Sequence, residues 1–160
     1  MDSHASPEPI ITLESPSSAL AQDLLRRYYD ELEVRFPDGF DVAESSSPSP
    51  EHLRAPRGAF LVAWLDNRAV GCGALRSLGD GIGEIKRMWL DPSVRGRGLG
   101  RAMLAALERS AYDLGFTRLR LDTAAQLVEA IALYRSSGFR EIERYNDNSY
   151  AAIWFEKPLT

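Results

Sequence analysis

The sequence predicts an α/β fold built on a mixed, mostly antiparallel sheet of about six or seven strands. Two observations predict this fold. Three apolar runs follow one another with short turns between them, which is typical of an antiparallel meander. A helix pattern and a further strand pattern come next, and this order predicts a crossover between parallel strands. In a chain of 160 residues we expect a flexible tail over residues 1–9 and a single domain over 10–160.

A short strand and a long helix precede the meander. Ile10–Leu13 is a candidate first strand, and Ser15 with Pro16 predicts a helix N-cap followed by proline at the first helical position. This helix should run to about Val34, because apolar residues recur at helical spacing over that range. These residues are Leu20, Leu24, Leu25, Tyr28 and Leu32.

The meander consists of three strand patterns. Gly58–Leu65 is a nearly continuous apolar run, which is typical of a buried strand. An Asp-Asn turn leads into a second strand over 69–76, and a Gly-Asp-Gly turn leads into a third over 82–90. The single cysteine, Cys72, lies between two glycines of the second strand, so we interpret it as a small core residue rather than a nucleophile.

The rest of the chain alternates helix and strand patterns. One helix carries the apolar face Met103, Leu104, Leu107, Ala111 and Leu114. Gly115 ends this helix, and a short strand over 117–122 follows it. A second helix pattern covers about 127–137, and two final strands are expected over 139–142 and 151–155.

The stretch 84–101 carries the strongest functional signal. It reads as a strand that stops at an Asp-Pro pair, a glycine-rich turn and the start of a helix at about Arg101. The free N–H groups of such a turn, together with the helix dipole, form an anion site. Three glycines and three arginines contribute to it: Gly96, Gly98 and Gly100, and Arg95, Arg97 and Arg101. Because the chain has a net charge of −4, this local positive charge favours a small anionic ligand over a nucleic acid.

Two motifs resemble the GNAT superfamily of N-acetyltransferases. Arg95-x-x-Gly98-x-Gly100, between a strand and a helix, resembles the loop that holds the pyrophosphate of acyl-CoA in that family. The run from Ala130 to Phe139 resembles its A-x-x-L-Y-x-x-x-G-F signature. The resemblance covers about residues 10–158. It implies helices on both faces of the sheet and a split between the fourth and fifth strands, with acetyl-CoA in the split.

The resemblance also implies which residues bind acetyl-CoA. The pyrophosphate should meet the N–H groups of residues 95–101, and the pantetheine arm should pair with the strand edge at 88–90. The cofactor-binding residues so implied are Met88, Trp89, Leu90, Arg95, Gly96, Arg97, Gly98, Leu99, Gly100, Arg101 and Tyr134. Many members carry an asparagine that bonds the pantetheine where this chain has Leu127, so that contact is missing or is supplied by another group such as Gln126.

Acetyl transfer requires a neutral amine, a polarised thioester and a protonated leaving thiolate. The resemblance implies Tyr134 as the acid that protonates the thiolate; the alternative is a packing tyrosine. It implies Glu84 as the general base, and the alternative is an ion pair with a nearby arginine. His52 and Asp122 are weaker candidates for the base. Strand alternation predicts Glu84, Lys86 and Met88 on one face and Ile85, Arg87 and Trp89 on the other, and leaves open which face meets the acceptor.

These features imply an acetyl-CoA-dependent N-acetyltransferase that acts by direct transfer to a primary amine of a small molecule or amino-acid-like substrate, without a metal. The alternatives are a protein N-terminal or lysine acetyltransferase, and a non-catalytic acyl-CoA-binding regulatory module. Acidic residues of the loop over 38–51 would suit a cationic amine or are simply solvated, and residues 145–150 are candidates for the acceptor pocket.

We expect the protein to be cytoplasmic, without a nucleic-acid or membrane partner. The N-terminus lacks the basic and apolar regions of a signal peptide, and the longest apolar run is far shorter than the ~20 residues of a membrane helix. In the GNAT family the final strands often pair between subunits, so a homodimer is a further expectation.

Overall fold

Seven strands and three helices make up the computed structural model, which describes residues 8–40 and 49–160. The strands are β1 (Ile10–Leu13), β2 (Gly58–Leu65), β3 (Arg68–Gly79), β4 (Ile82–Leu90), β5 (Arg118–Thr123), β6 (Arg140–Ile142) and β7 (Ile153–Pro158). The helices are α1 (Ala19–Arg35), α2 (Leu99–Asp113) and α3 (Val128–Ser136). Most of the predicted tail and the centre of the predicted loop after α1, at 41–48, lie outside the described residues.

All seven strands belong to one sheet with the order β1-β2-β3-β4-β5-β7-β6. Neighbouring strands are antiparallel except β4 and β5, which are parallel and are connected through α2. The predicted meander, the predicted crossover and the mixed, mostly antiparallel sheet are therefore confirmed. No helix in the described ranges is long and apolar enough to cross a membrane.

The sheet opens between β4 and β5, as predicted. The two strands pair only over Ile82–Glu84 of β4 and Arg118–Arg120 of β5. Beyond Glu84 they separate, and the second half of β4 pairs with β3 alone among the described strands. This separation leaves one edge of the strand over 86–90 facing an open wedge, next to the start of α2.

The two faces of the sheet are covered by different helices. On one face, α1 packs against Phe60, Val62, Cys72 and Trp89. On the other face, α2 packs against the sheet together with Tyr134 of α3. The helices thus lie on both faces, and Cys72 is a buried core residue, both as predicted.

Several element boundaries differ from those predicted. Helix α1 begins at Ala19 and not behind Ser15, because Ser18 is the N-cap and its hydroxyl accepts a hydrogen bond of 3.0 Å from the N–H of Ala21. Helix α2 begins at Leu99, two residues before the predicted start, with Gly98 as its N-cap in the left-handed region at φ 81°. The last strand runs two residues later than predicted at its start and extends to Pro158.

Candidate active site

A β-bulge in β4 sets the geometry of the site. Arg87 and Met88 together lie opposite the single residue Gly73, and Arg87 has a positive φ of 55°. The extra residue reverses the alternation, so Ile85 and Met88 both face α2, whereas Trp89 faces α1. The predicted assignment of alternate residues to two faces is therefore wrong from Met88 onward.

Glycines of the neighbouring strand allow close packing around this bulge. A Cβ at Gly73 would lie 2.9 Å from Leu107 and 3.1 Å from Met103, so α2 approaches the sheet closely at this point. A Cβ at Gly71 would lie 2.6 Å from the carbonyl oxygen of Trp89. Two glycines that flank one strand residue are the only local signal for this irregularity, and such a pattern suggests a bulge without locating it.

A groove of about 430 Å³ lies along the open edge of β4. We call it the cofactor groove; α1, α3 and the loop that precedes α2 form its other walls. All the predicted cofactor residues except Arg97 and Leu99 line it: Met88, Trp89, Leu90, Arg95, Gly96, Gly98, Gly100, Arg101 and Tyr134. Arg97 is exposed beside the groove, and Leu99, the first residue of α2, is buried in the core.

The start of α2 has the chemistry that a pyrophosphate requires. The N–H groups in the first turn of a helix have no carbonyl acceptor within the helix. A Cβ added to Gly96 or Gly98 would meet no protein atom within 4 Å, so both positions open onto free space. The residues present therefore fit an anionic group at this end of the cofactor groove. That they bind acetyl-CoA stays a prediction.

Two of the three arginines contact the helices that border the groove. Arg95 turns toward α1, where its Nη2 donates to Glu31 Oε1 at 2.6 Å and to the carbonyl oxygen of Leu90 at 2.7 Å. Arg101 donates to the hydroxyl of Ser136 in α3 at 3.0 Å. The positive charge predicted for this loop is thus partly engaged in contacts with the two helices that border the groove.

The Glu31 carboxylate binds three side chains around the groove, and the sequence analysis did not single it out. Its carboxylate accepts hydrogen bonds from Trp89 Nε1 at 2.8 Å and from Arg95, and it forms an ion pair of 2.9 Å with Arg35. Burial raises the pKa of this carboxyl, but the hydrogen bonds from Arg95 and Trp89 outweigh burial and hold the pKa below its usual value. The only sequence signal is the spacing of four residues between Arg27, Glu31 and Arg35 on α1.

Tyr134 lies where the cofactor groove ends. Its hydroxyl points at the sulfur of Met88, 3.9 Å away, and its side chain is buried. Burial, and secondarily the charge of Asp122, raises the pKa of this phenol above its usual value, so the hydroxyl keeps its proton over the physiological range. This state suits a proton donor, but the catalytic role of Tyr134 stays a prediction.

A second cavity, of about 100 Å³, adjoins the groove at Tyr134 and Met88. We call it the aromatic pocket, because six rings line it: Tyr28, Tyr29, Phe36, Phe40, Tyr134 and Tyr150. Tyr150 and Asn148 come from the stretch 145–150, which was a candidate for the acceptor pocket. Leu127 lines both cavities, whereas Gln126, named above as a possible substitute for the family's asparagine, is exposed and lines neither.

Glu84 lies behind the aromatic pocket and does not line it. The carboxylate is fully buried, pairs with Arg76 Nε at 2.7 Å and accepts a hydrogen bond of 2.5 Å from the Tyr145 hydroxyl. The structure therefore contains the ion pair that the sequence left as the alternative. Whether Glu84 also acts as the general base stays a prediction.

Asp122 is the only carboxylate that lines the aromatic pocket in the described part of the chain. Its two oxygens accept hydrogen bonds from Asn146 at 2.5 Å and Asn148 at 3.0 Å, and the Lys86 ammonium lies 3.6 Å away. Asn146 also reaches Glu84 at 3.4 Å, so the amide links the two carboxylates. The exposed His52 lines neither cavity.

Known proteins are similar to this chain over the region that contains both motifs. The model of the acetyltransferase (GNAT) family matches residues 21–139. An "IAA acetyltransferase" of Azospirillum brasilense is 32% identical over 96% of this chain and 99% of its own length. An "aminoglycoside N(6')-acetyltransferase type 1" of Stenotrophomonas maltophilia is 30% identical over 94% of both chains.

A solved structure agrees with these relatives. An acyl-CoA N-acyltransferase of Klebsiella pneumoniae is 30% identical, covers 95% of this chain and 98% of its own, and superimposes with a TM-score of 0.78. The sheet, split between its fourth and fifth strands, and the glycine-rich loop at the start of α2 match what the resemblance implied. This chain therefore belongs to the GNAT family of N-acetyltransferases.

Proposed function

We propose that this protein transfers the acetyl group of acetyl-CoA directly to the primary amine of a small, amino-acid-like molecule. The observation that carries the proposal is the junction of the two cavities at Tyr134 and Met88. A thioester that enters along the cofactor groove and an amine that enters through the aromatic pocket would meet there. Among the described residues the pocket has a volume of about 100 Å³, and this small volume favours a small molecule over a protein chain.

The transfer is a single displacement. The amine nitrogen attacks the thioester carbonyl carbon, the C–N bond of the amide forms and the C–S bond breaks. The amine loses one proton to a general base, and the thiolate takes one from the Tyr134 hydroxyl, which lies at the junction. Burial raises the pKa of the Cys72 thiol to about 12, and this supports direct transfer without an acetylated cysteine.

Two carboxylates are candidates for the general base. The family resemblance favours Glu84, which lies behind the aromatic pocket, 3.9 Å from the Lys86 ammonium and linked to Asp122 through Asn146. Geometry favours Asp122, because it lines the pocket and its charge acts on Tyr134. The Asn146 side-chain amide donates to both carboxylates, so the two candidates belong to one hydrogen-bond network, although the amide itself cannot relay a proton between them.

Calorimetric titration with acetyl-CoA tests the donor site, using Gly98→Ala with Gly115→Ala as its matched control. Both glycines have a positive φ, 81° and 88°, lie at opposite ends of α2 and have open space at the Cβ position. The backbone strain of the two substitutions should therefore be similar, about 1–2 kcal/mol each. Only Gly98 borders the cofactor groove, so Gly98→Ala should weaken acetyl-CoA binding at least about tenfold, whereas Gly115→Ala should leave it unchanged.

The same preparation is then supplied with amines, and the release of CoA thiol is followed. Amine-dependent release by the wild type is the expected result. Absence of acetyl-CoA binding to the wild type would refute the proposal. Binding without thiol release from any amine would instead support the alternative of a non-catalytic acyl-CoA-binding module.

A further inference from the structure

Two asparagines of the segment before β7 donate to the same carboxylate. The side-chain amide of Asn146 donates to Asp122 Oδ2 at 2.5 Å, and that of Asn148 donates to Asp122 Oδ1 at 3.0 Å. We call Asn146 and Asn148 the asparagine pair. Asn148 lines the aromatic pocket, whereas Asn146 lines neither cavity. Both oxygens of Asp122 therefore accept a hydrogen bond from a side chain that comes from one short segment.

The orientation of each amide is fixed by groups that can only donate. An asparagine side chain has one acceptor oxygen and one donor nitrogen, and its partners determine which way it faces. The oxygen of Asn146 accepts from the Trp154 indole at 2.9 Å and from the backbone N–H of Asn148 at 3.2 Å. The oxygen of Asn148 accepts from the backbone N–H of Tyr150 at 3.1 Å. The donor nitrogen of each amide must therefore face Asp122.

The asparagine pair leaves Asp122 able to accept a proton. Each carboxylate oxygen has two lone pairs, so an oxygen that accepts one amide hydrogen keeps a second acceptor site. The side chain of Asp122 is only 6% exposed and lines the aromatic pocket, so a molecule in that pocket can reach it. Hydrogen bonds to a carboxylate favour its ionised form, which is the form that a general base requires.

The charged and titratable side chains around Asp122 come from several elements. The Lys86 ammonium lies 3.6 Å from Asp122 Oδ2, and the Asn146 amide also donates to Glu84 at 3.4 Å. The other members are Arg76, which pairs with Glu84, and the hydroxyl groups of Tyr134 and Tyr145, on which the charge of Asp122 acts. A substitution within the asparagine pair leaves all of these groups in the chain, so it changes only the donors to the carboxylates.

We propose that Asn146 and Asn148 are positioning residues of the acetyl transfer, which hold the ionised Asp122 at the wall of the aromatic pocket as the acceptor of the amine proton. This inference rests on the function proposed above and names the residues that orient its general base. The amine nitrogen forms the bond to the acetyl carbon and loses a proton to Asp122. The C–S bond breaks, and the sulfur takes a proton from Tyr134. Asp122 gains one proton and Tyr134 gives one, so the protons balance.

Asn146→Asp and Asn148→Asp test the asparagine pair in the full-length protein with saturating acetyl-CoA. The acceptor is whichever of L-alanine, L-phenylalanine, phenethylamine and spermidine gives the fastest thiol release with the wild type. Each substitution keeps the shape of the side chain and its acceptor oxygen, but it replaces the donor nitrogen by a second acceptor. At about pH 8.5 both variants should therefore have a kcat/KM at least about tenfold below that of the wild type.

The dependence on pH separates a lost donor from a structural defect. Neighbouring carboxylates favour the protonated form of the new carboxyl group, and this form can donate a hydrogen bond again. The ratio of variant to wild-type kcat/KM should therefore rise at least about fivefold between about pH 8.5 and about pH 5.5. Dividing by the wild-type value removes the effect of pH on the amine itself.

Asn67→Asp is the matched control, because Asn67 lies in the exposed turn between β2 and β3 and lines neither cavity. Its ratio to the wild type should stay near one at every pH. The two test variants complement each other, since Asn146 lies outside the pocket lining and Asn148 donates to Asp122 alone of the two carboxylates. Acetyl-CoA affinity should stay within about threefold of the wild type in all three variants, which verifies that they are folded.

The outcomes separate this inference from the proposed function. A ratio that does not change with pH in either test variant would overturn the inference, because a structural defect has no reason to recover in acid. If either variant fails to bind acetyl-CoA, Asn146→Ala decides: a kcat at least about tenfold lower with unchanged acetyl-CoA affinity supports the inference, and a wild-type kcat overturns it. Thiol release by the wild type from no amine at all would overturn the proposed function itself, and the inference with it.

Discussion

The hydroxyl of Tyr134 is held in a buried position where the cofactor groove and the aromatic pocket meet. Its raised pKa keeps the proton on the phenol over the physiological range, so the hydroxyl stays in the donor form. The same rise makes the phenol a weaker acid than a thiol with an ordinary pKa of about 8.5, so transfer to a free thiolate would be uphill. We therefore expect the proton to move while the C–S bond breaks, with the leaving sulfur held against the hydroxyl.

Tyr134→Phe should lower kcat by about 100-fold or more, since a positioned acid contributes on the order of 10²–10⁴ to the rate. The Kd for acetyl-CoA should change by less than about threefold, because the ring stays in place. Because the pKa is raised, the wild-type kcat should show no loss from ionisation of Tyr134 up to about pH 10. Tyr112→Phe, on the exposed side of α2, is the control and should match the wild type. A Tyr134→Phe variant with wild-type kcat would exclude Tyr134 as the acid.

At the scale of elements, α1 holds the junction between β4 and the phosphate loop. Arg27 pairs with Asp91 and lies over the Trp89 ring at 5.0 Å, and Glu31 accepts hydrogen bonds from Trp89 and Arg95. One face of the helix thus contacts the last residues of the strand and the first residue of the loop. The edge of β4 and the anion site at the start of α2 can bind one ligand together only if their relative position is fixed. The contacts of α1 fix that position.

Glu31→Gln keeps the size of the side chain but removes the charge that holds Arg95. We expect a Kd for acetyl-CoA about tenfold higher with a nearly unchanged kcat, since Glu31 acts by positioning and does not touch the reacting atoms. The Trp89 indole loses a charged acceptor, so tryptophan emission should shift as well. Asp30→Asn, the adjacent exposed residue, is the control. An equal loss of kcat and affinity in Glu31→Gln would contradict a positioning role.

The effect of Glu31→Gln on the free energy of unfolding should depend on pH. The folded-state pKa of Glu31 is lowered, so the ionised group stabilises the folded state above its unfolded pKa of about 4.3. That contribution is lost as the pH falls through the folded-state pKa. The difference in the free energy of unfolding between wild type and Glu31→Gln should therefore be constant near neutral pH and should disappear in acid, which urea titrations at several pH values would measure.

The sequence predicted the strands and helices better than the contacts between them. Gly58–Leu65 and the crossover through α2 were predictable because apolar periodicity is a local property. The bulge at Arg87 was not, because it depends on how α2 and the neighbouring strand approach β4. Likewise the loop motif around Arg95 was evident, but its partner Glu31 is 64 residues away, and no local pattern encodes that pairing.

At the scale of the whole molecule, the cofactor groove lies where the two halves of the sheet separate. Beyond Glu84, β4 and β5 separate, and the groove is bordered by α1 from one face and α3 from the other. Across it, Arg35 of α1 donates to Glu129 of α3 at 2.9 Å, and this hydrogen bond is the main cause of the lowered pKa of Glu129. Glu129 is 64% exposed, so the pair contributes at most about 1 kcal/mol to stability.

A ligand in the cofactor groove should therefore stabilise the protein more than the ion pair between Arg35 and Glu129 does. At 100 times its Kd, acetyl-CoA should add about 2.7 kcal/mol to the free energy of unfolding, which for a chain of this size raises the Tm by roughly 5–10 °C. Glu129→Gln should lower the Tm of the free protein by no more than about 4 °C and should keep most of the ligand-induced rise. Thermal unfolding with and without acetyl-CoA measures both effects. Gly98→Ala at the same acetyl-CoA concentration should show a clearly smaller rise, and a rise equal to that of the wild type would show that the ligand stabilises the fold from somewhere other than this groove.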